Sequence, residues 1–187
     1  MPPETMLEET DSSDARSADP KIVLYGQEVL ISQAEPVTQF DEDLDKLVKE
    51  MHHIMVRANG VGLAAPQIGV GKQVCIVDLS VGQDPNDLKV FINPETIEQE
   101  GKQKTEEGCL SFPDIFTLVE RPYYVKVRAR DSYGEYKDHE AEEFLTHAYC
   151  HEIDHLKGIL MLDRISNLKR SIIKRKINKW VKAGTWK

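Results

Sequence analysis

The segment His151-Glu152-Ile153-Asp154-His155 sets two imidazoles four residues apart, with a carboxylate directly after the first. On a helix, residues four apart share one side about 6 Å apart along the axis, so both rings reach a single ion and Glu152 sits beside it. The plain alternative is two surface histidines flanking a salt-bridging glutamate. A helical context and a third ligand decide between the two. A catalytic tetrahedral site takes three protein ligands and keeps one position open for water. Zinc peptidases with this motif draw the third ligand from a downstream Glu or His, but after His155 the chain has neither, and Asp163 is the only acid there. Upstream, Cys109 lies in Glu107-Gly108-Cys109-Leu110-Ser111 and offers a thiolate suited to first-row divalent metals. A cysteine between Gly and Leu is by default a small buried hydrophobe. The missing third ligand turns the reading toward a Cys-His-His site.

Positioning these groups requires particular elements. From about Glu142 to Lys157 the pattern is helical, with Gly158 placed to close the helix, so the histidines ride on one face. Asp41 is a good N-cap for an earlier amphipathic helix bearing Leu44, Leu47, Val48, Met51 and Met55, ending near Asn59-Gly60. Before it, Lys21 to Val37 reads as a loosely extended lead-in. Gln73 to Val77, Val90 to Asn93 and Tyr124 to Arg130 read as strands, the last alternating Val125 and Val127 with Lys126 and Arg128. A last helix spans about Asn167 to Lys182, with Leu168, Ile172, Ile173, Ile177 and Trp180 on one side. Strands grouped together rather than alternating with helices imply an α+β fold, not a doubly wound parallel sheet.

Gly60-Val61-Gly62-Leu63-Ala64-Ala65-Pro66-Gln67 contains G-x-G-x-x-A, the outline of a dinucleotide fingerprint. That fingerprint follows a strand and opens a helix. Here a helix precedes it, and Pro66 denies a new helix a backbone N-H. Glycines that merely make a turn are the other plain reading. However, GVGLAAPQ at 60–67, EGCLS at 107–111 and HEIDH at 151–155, in that order, match the three signature motifs of the peptide deformylase family. The chain resembles that family from about Lys21 to Lys182, including Asn93-Pro94, the polar stretch around Asp131 to Gly134, and His155-Leu156-Lys157-Gly158. The resemblance implies small antiparallel sheets packed around a central helix carrying HEIDH, plus a C-terminal helix. It also implies one catalytic domain over 20–187.

The activity implied is removal of the N-formyl group from formyl-methionyl nascent polypeptides, with release of formate. One divalent ion would be held by Cys109, His151 and His155. Iron(II) is the family expectation, although Zn²⁺, Ni²⁺ and Co²⁺ suit the same donors. Glu152 would serve as acid and base. The side-chain amide of Gln67 and the backbone N-H of Leu110 would meet the developing oxyanion. Gly60, Val61, Gly62 and Gly108 would let a peptide backbone approach and pair as an added strand. Val61, Phe144, His147 and Ala148 would line the methionine slot, although His147 reads equally as an exposed or structurally bonded imidazole. Asp154 would pair with Arg121 and steady the helix. Two positions depart from the family pattern: Cys150 stands where a Gln commonly precedes the first ligand, and Phe116 where some relatives carry a peptide-binding Arg. Cys150 reads as a packing residue, and Phe116 bears on substrate range.

Composition sets the remaining bounds. The 187 residues, 40% hydrophobic and 30% charged, suffice for one core and contain no apolar run of membrane-spanning length. Met1 to about Asp19 is polar and acid-rich, unlike a secretory or organellar leader, and reads as a disordered tail. Three widely spaced cysteines, Cys75, Cys109 and Cys150, suit a reducing cytoplasm. The net charge is -8, yet nine Lys or Arg and no acid follow Asp163. That basic end, Asn167 to Lys182, resembles the ribosome-contacting helix of bacterial deformylases. Its bland counterpart is a solvated face on a packing helix. Two competing functions are a zinc peptidase cleaving internal bonds and a degenerate deformylase that acts only as a ribosome-surface module.

Overall fold

The computed structural model describes residues 22–186, so the acidic tail read over 1–19 lies outside the described residues. The order of elements is α1 (Glu42–Arg57), β1 (Gly62–Ala64), β2 (Val74–Val77), β3 (Lys89–Glu100), β4 (Gln103–Cys109), β5 (Phe112–Arg121), β6 (Tyr124–Arg130), β7 (Tyr136–Glu142), α2 (Glu143–Leu156) and α3 (Asn167–Lys182). All strand pairings are antiparallel. One sheet runs β1-β2-β3-β6-β7, and β4 and β5 form a separate two-stranded sheet. This is the expected α+β arrangement, with small antiparallel sheets around the helix that carries HEIDH.

Alternation along β2 explains why the larger sheet is covered on both faces. Val74 and Ile76 face α1 and pack with Leu44, Val48, Met51, Ile54 and Met55. Cys75 and Val77 face the other way, toward Ala148, Tyr149, Ile153 and Leu156 of α2, beside Phe91, Val125 and Val127. A period of two on the strand thus serves two helices at once. A third cluster joins Leu30 of the lead-in to Phe112, Ile115 and Val119 of β5 and to Ile177 of α3.

The helix ends follow the sequence. Asp41 accepts from the backbone N-H groups of Asp43 and Leu44 and opens α1. At the far end of α2, Gly158 takes φ 70°, its N-H donating to His155 O while the Ile159 N-H donates to Asp154 O. These two bonds form a Schellman closure, which needs a residue tolerant of the left-handed region.

Several expectations need correction. The strand expected over Val90 to Asn93 does not stop at Asn93-Pro94. It runs on to Glu100 through irregular pairing with β6. Asn93 takes φ 50° and its side-chain amide bonds both Val37 N and Val37 O at 2.8 Å, so the irregularity absorbs the proline that would otherwise break the ladder. On α3, Ile177 is buried and Ile173 and Trp180 pack partly, whereas Leu168 and Ile172 are exposed. The apolar stripe expected there is therefore narrower than five residues.

Candidate active site

The chemistry gathers where α2 crosses the β4-β5 hairpin. His151 and His155 lie one turn apart on α2, both buried. Cys109 ends β4 at a break in register, where pairing jumps from Gly108↔Phe116 to Cys109↔Phe112. A bulge of this kind re-aims the side chain that follows it. Here it brings Cys109 Sγ to 3.3 Å from His155 Nε2. Ligand atoms of Cys109, His151 and His155 all lie within 4.8 Å of one another. Around a tetrahedral ion, with metal–sulfur about 2.3 Å and metal–nitrogen about 2.0–2.1 Å, sulfur and nitrogen stand roughly 3.5 Å apart. The donor set therefore fits a divalent metal in type and spacing.

Glu107, two residues before Cys109, is given no role by the sequence. It is buried, and its two oxygens divide the neighbourhood between them. Oε1 lies 3.0 Å from His147 Nδ1 and Oε2 lies 3.1 Å from His151 Nδ1. Arg121 donates to the same carboxylate from Nε at 2.8 Å and from Nη2 at 3.0 Å. Burial opposes the charge, but His151 and Arg121 hold the Glu107 carboxyl well below the usual carboxylate range. Arg121 also reaches Asp154, which Arg164 grips from Nε and Nη2. Two acids and two arginines thus clamp α2 to the hairpin, and one of those acids orients the His151 ring through its outer nitrogen.

Gln67 is buried in the turn after β1. Its Oε1 accepts the Ala64 N-H at 2.9 Å, which fixes the amide so that Nε2 points to Cys109 Sγ (3.5 Å) and Ser111 Oγ (3.3 Å). Glu152 is buried with Oε2 lacking any hydrogen-bond partner among the described residues. Burial, with Glu107 nearby, pushes its carboxyl up to about 7 against the pull of His151 and Arg121. Burial and the neighbouring His151 push His155 below its ordinary range, toward the neutral form that binds metal. Gly62 is needed for room. A Cβ there would stand 2.9 Å from both Cγ and Cδ of Glu152.

Above these groups opens a cleft of about 570 Å³, lined by Gly60, Val61, Gly62, Gly108, Leu110, Phe116, Phe144, His147 and Ala148 among others. His147 is buried, with Nδ1 on Glu107, and so is not the exposed imidazole of the alternative reading. Phe144 is half-exposed at the mouth, and the ring of Phe116 lies over Gly108. Cys150 is partly buried against the α2 core, and burial pushes its thiol up to about 11.

Two buried histidines and a partly buried cysteine as a donor set, an unpaired carboxylate beside them, a fixed amide donor and an apolar cleft above suit a hydrolase with a metal site. The polypeptide deformylase family matches residues 20–171. A peptide deformylase of Acidobacterium capsulatum is 50% identical over 165 residues, 88% of this chain and 97% of that one. One of Thermotoga maritima is 42% identical over 158 residues, covering 84% and 93%. Among solved structures, a peptide deformylase from Legionella pneumophila superposes with a TM-score of 0.83 at 38% identity, covering 91% of this chain and 99% of that chain. Another, from Synechococcus elongatus in complex with actinonin, gives 0.79 at 35% identity over 87% and 89%. The chain belongs to the peptide deformylase family. It is a hydrolase of that family, and its activity is removal of the N-formyl group from nascent polypeptides.

Proposed function

We propose that the chain performs this hydrolysis with Cys109, His151 and His155 holding one divalent ion, Glu152 as acid and base, and Gln67 with the Leu110 N-H as oxyanion donors. The observation that carries the reading is the buried, unpartnered Oε2 of Glu152 beside the three ligand atoms. When bound, the ion supplies Lewis acidity to a water and to the formyl oxygen. Glu152, with its carboxyl near neutrality, takes the proton from the attacking water and hands it to the departing amine. Gln67 Nε2, its orientation fixed through Ala64, donates to the formyl oxygen as charge develops there. Glu107 holds His151 by Nδ1, leaving Nε2 for the site.

The substrate backbone lies along Gly60-Val61-Gly62 and Gly108, where small residues admit close approach, and the first side chain enters between Val61, Phe144, His147 and Ala148. Iron(II) is the ion we assign, with Zn²⁺, Ni²⁺ or Co²⁺ able to take the same donors. Residues 20–187 act as one catalytic domain, and the setting is the cytoplasm. Among the described residues no helix is long and apolar enough to cross a membrane. Exposed Lys169, Lys174, Arg175, Lys176, Lys179 and Lys182 give α3 a cationic surface suited to ribosomal RNA.

The test is deformylation of formyl-Met-Ala-Ser by protein loaded anaerobically with Fe²⁺ or Ni²⁺, beside Glu152→Gln. Turnover that falls at least about 100-fold in the variant supports the assignment. Metal binding without turnover of any formyl-peptide, or casein cleavage instead, sinks it.

A further inference from the structure

His147 carries a polar atom that the reaction does not use. It sits on α2 one turn before His151, is 2% exposed, and lines the cleft beside Val61, Phe144 and Ala148. Its Nδ1 faces Glu107 Oε1 at 3.0 Å, and Arg121 donates to both oxygens of that carboxylate. With Arg121 in place, Glu107 acts as acceptor, so the proton of a neutral His147 belongs on Nδ1. Nε2 then presents a lone pair. That nitrogen is buried and has no partner among the described residues. An unmet polar atom in an otherwise apolar slot is costly, and a ligand group that satisfies it gains accordingly.

We infer that His147 Nε2 is a hydrogen-bond-accepting subsite in the slot for the first side chain, giving this chain activity on formyl-peptides whose first residue has methionine's length and a terminal N-H donor, as glutamine does. The inference rests on the proposed reading of the cleft as the methionine slot. Discrimination comes from the buried acceptor: a site that hydrogen-bonds a substrate group separates it from an apolar analogue far better than a greasy pocket separates two apolar side chains.

The test compares kcat/KM for formyl-norleucine-Ala-Ser, formyl-Gln-Ala-Ser and formyl-methionine-sulfoxide-Ala-Ser on the metal-loaded protein and on two variants. His147→Ile removes the imidazole. His147→Asn keeps an N-H near Nδ1 for Glu107 while deleting the atom at Nε2, and so guards against an unfolded or metal-poor first variant. Each variant is judged by its own glutamine-to-norleucine ratio, in which changes in metal content and turnover cancel. The ratio is expected to fall about tenfold or more in both variants. The sulfoxide, which offers only an acceptor, is expected to gain nothing from His147. An unchanged glutamine ratio, or a sulfoxide preference that vanishes with His147, overturns the inference while leaving the deformylase reading intact. Failure of the unsubstituted protein to turn over even formyl-norleucine would instead strike at the deformylase reading itself.

Discussion

Glu152 works at close quarters, and Gly62 is what gives it room. Gly62 has no unusual backbone angle, so its need is spatial: an added methyl would press on Cγ and Cδ of Glu152 at 2.9 Å. Gly62→Ala is expected to keep the fold and metal content but to lower kcat on formyl-Met-Ala-Ser by about 10-fold or more, since Glu152, the acid/base we propose, loses its reach when displaced. Unchanged kcat would show that the carboxylate relocates freely. Glu107 makes the complementary case. Glu107→Gln takes from Arg121 one of its two buried carboxylates, leaving Asp154, and weakens the hold on His151, so competition with a chelator should reveal metal affinity lowered about 10- to 100-fold. Retention equal to the parent would refute that role. These two residues also mark what the sequence can reveal. The histidines are legible because a four-residue spacing on one helix is local. Glu107 is not, because an acid beside Gly-Cys looks solvated until β4, β5 and α2 meet, and its partners Arg121, His147 and His151 lie far along the chain.

Among the elements, α2 and the β4-β5 hairpin carry the site, and only the first is visible in the sequence. The helix announces itself by periodicity, an N-terminal acid and Gly158. The hairpin hides. Along β4 a single side chain, that of Glu107, is fully buried, and in β5 Pro113 and Asp114 interrupt the start of an otherwise clear alternation of Ile115, Thr117, Val119 and Arg121. A strand whose inward face is polar cannot be told from a loop by hydrophobic pattern alone. β7, Tyr136–Glu142, is hidden for the same reason, with Ala141 its only fully buried residue. The closure of α2 is testable at this scale. A Cβ on Gly158 would meet the Ile31 carbonyl oxygen at 2.6 Å, and the left-handed backbone adds about 1–2 kcal/mol. Gly158→Ala should therefore lower unfolding stability by at least that amount in urea titration. A loss below about 0.5 kcal/mol would mean that the lead-in yields easily.

Across the molecule, the response to acid follows from where the carboxylates sit. Asp78 is fully buried just after β2. Burial raises its carboxyl, yet Ser80, His52 and the backbone N-H groups of Gly82 and Ser80 outweigh that and hold it at about 2. Asp131 and Asp138 are likewise lowered, Asp131 by Lys137 and the backbone N-H groups of Glu135 and Tyr133 against its own burial, and Asp138 by Arg128. Each binds its proton more weakly when folded than when unfolded, so the unfolded chain takes up more protons as pH drops, and stability falls with it. The stabilisation is complete above the unfolded carboxylate range, near pH 4, and drains away as pH passes down through about 2 for Asp78. Chemical unfolding of the metal-free protein should therefore show a steep loss of stability below about pH 4. Asp78→Asn separates this group from the rest. The variant should be less stable than the parent between about pH 5 and 7, because His52 Nε2 and the Gly82 N-H lose a charged acceptor, and the gap should close as pH approaches about 2. A gap that stays constant from about pH 7 to about pH 2 would mean that Asp78 acts through packing rather than charge. The link between α1 and the loop after β2 would then owe nothing to its ionisation.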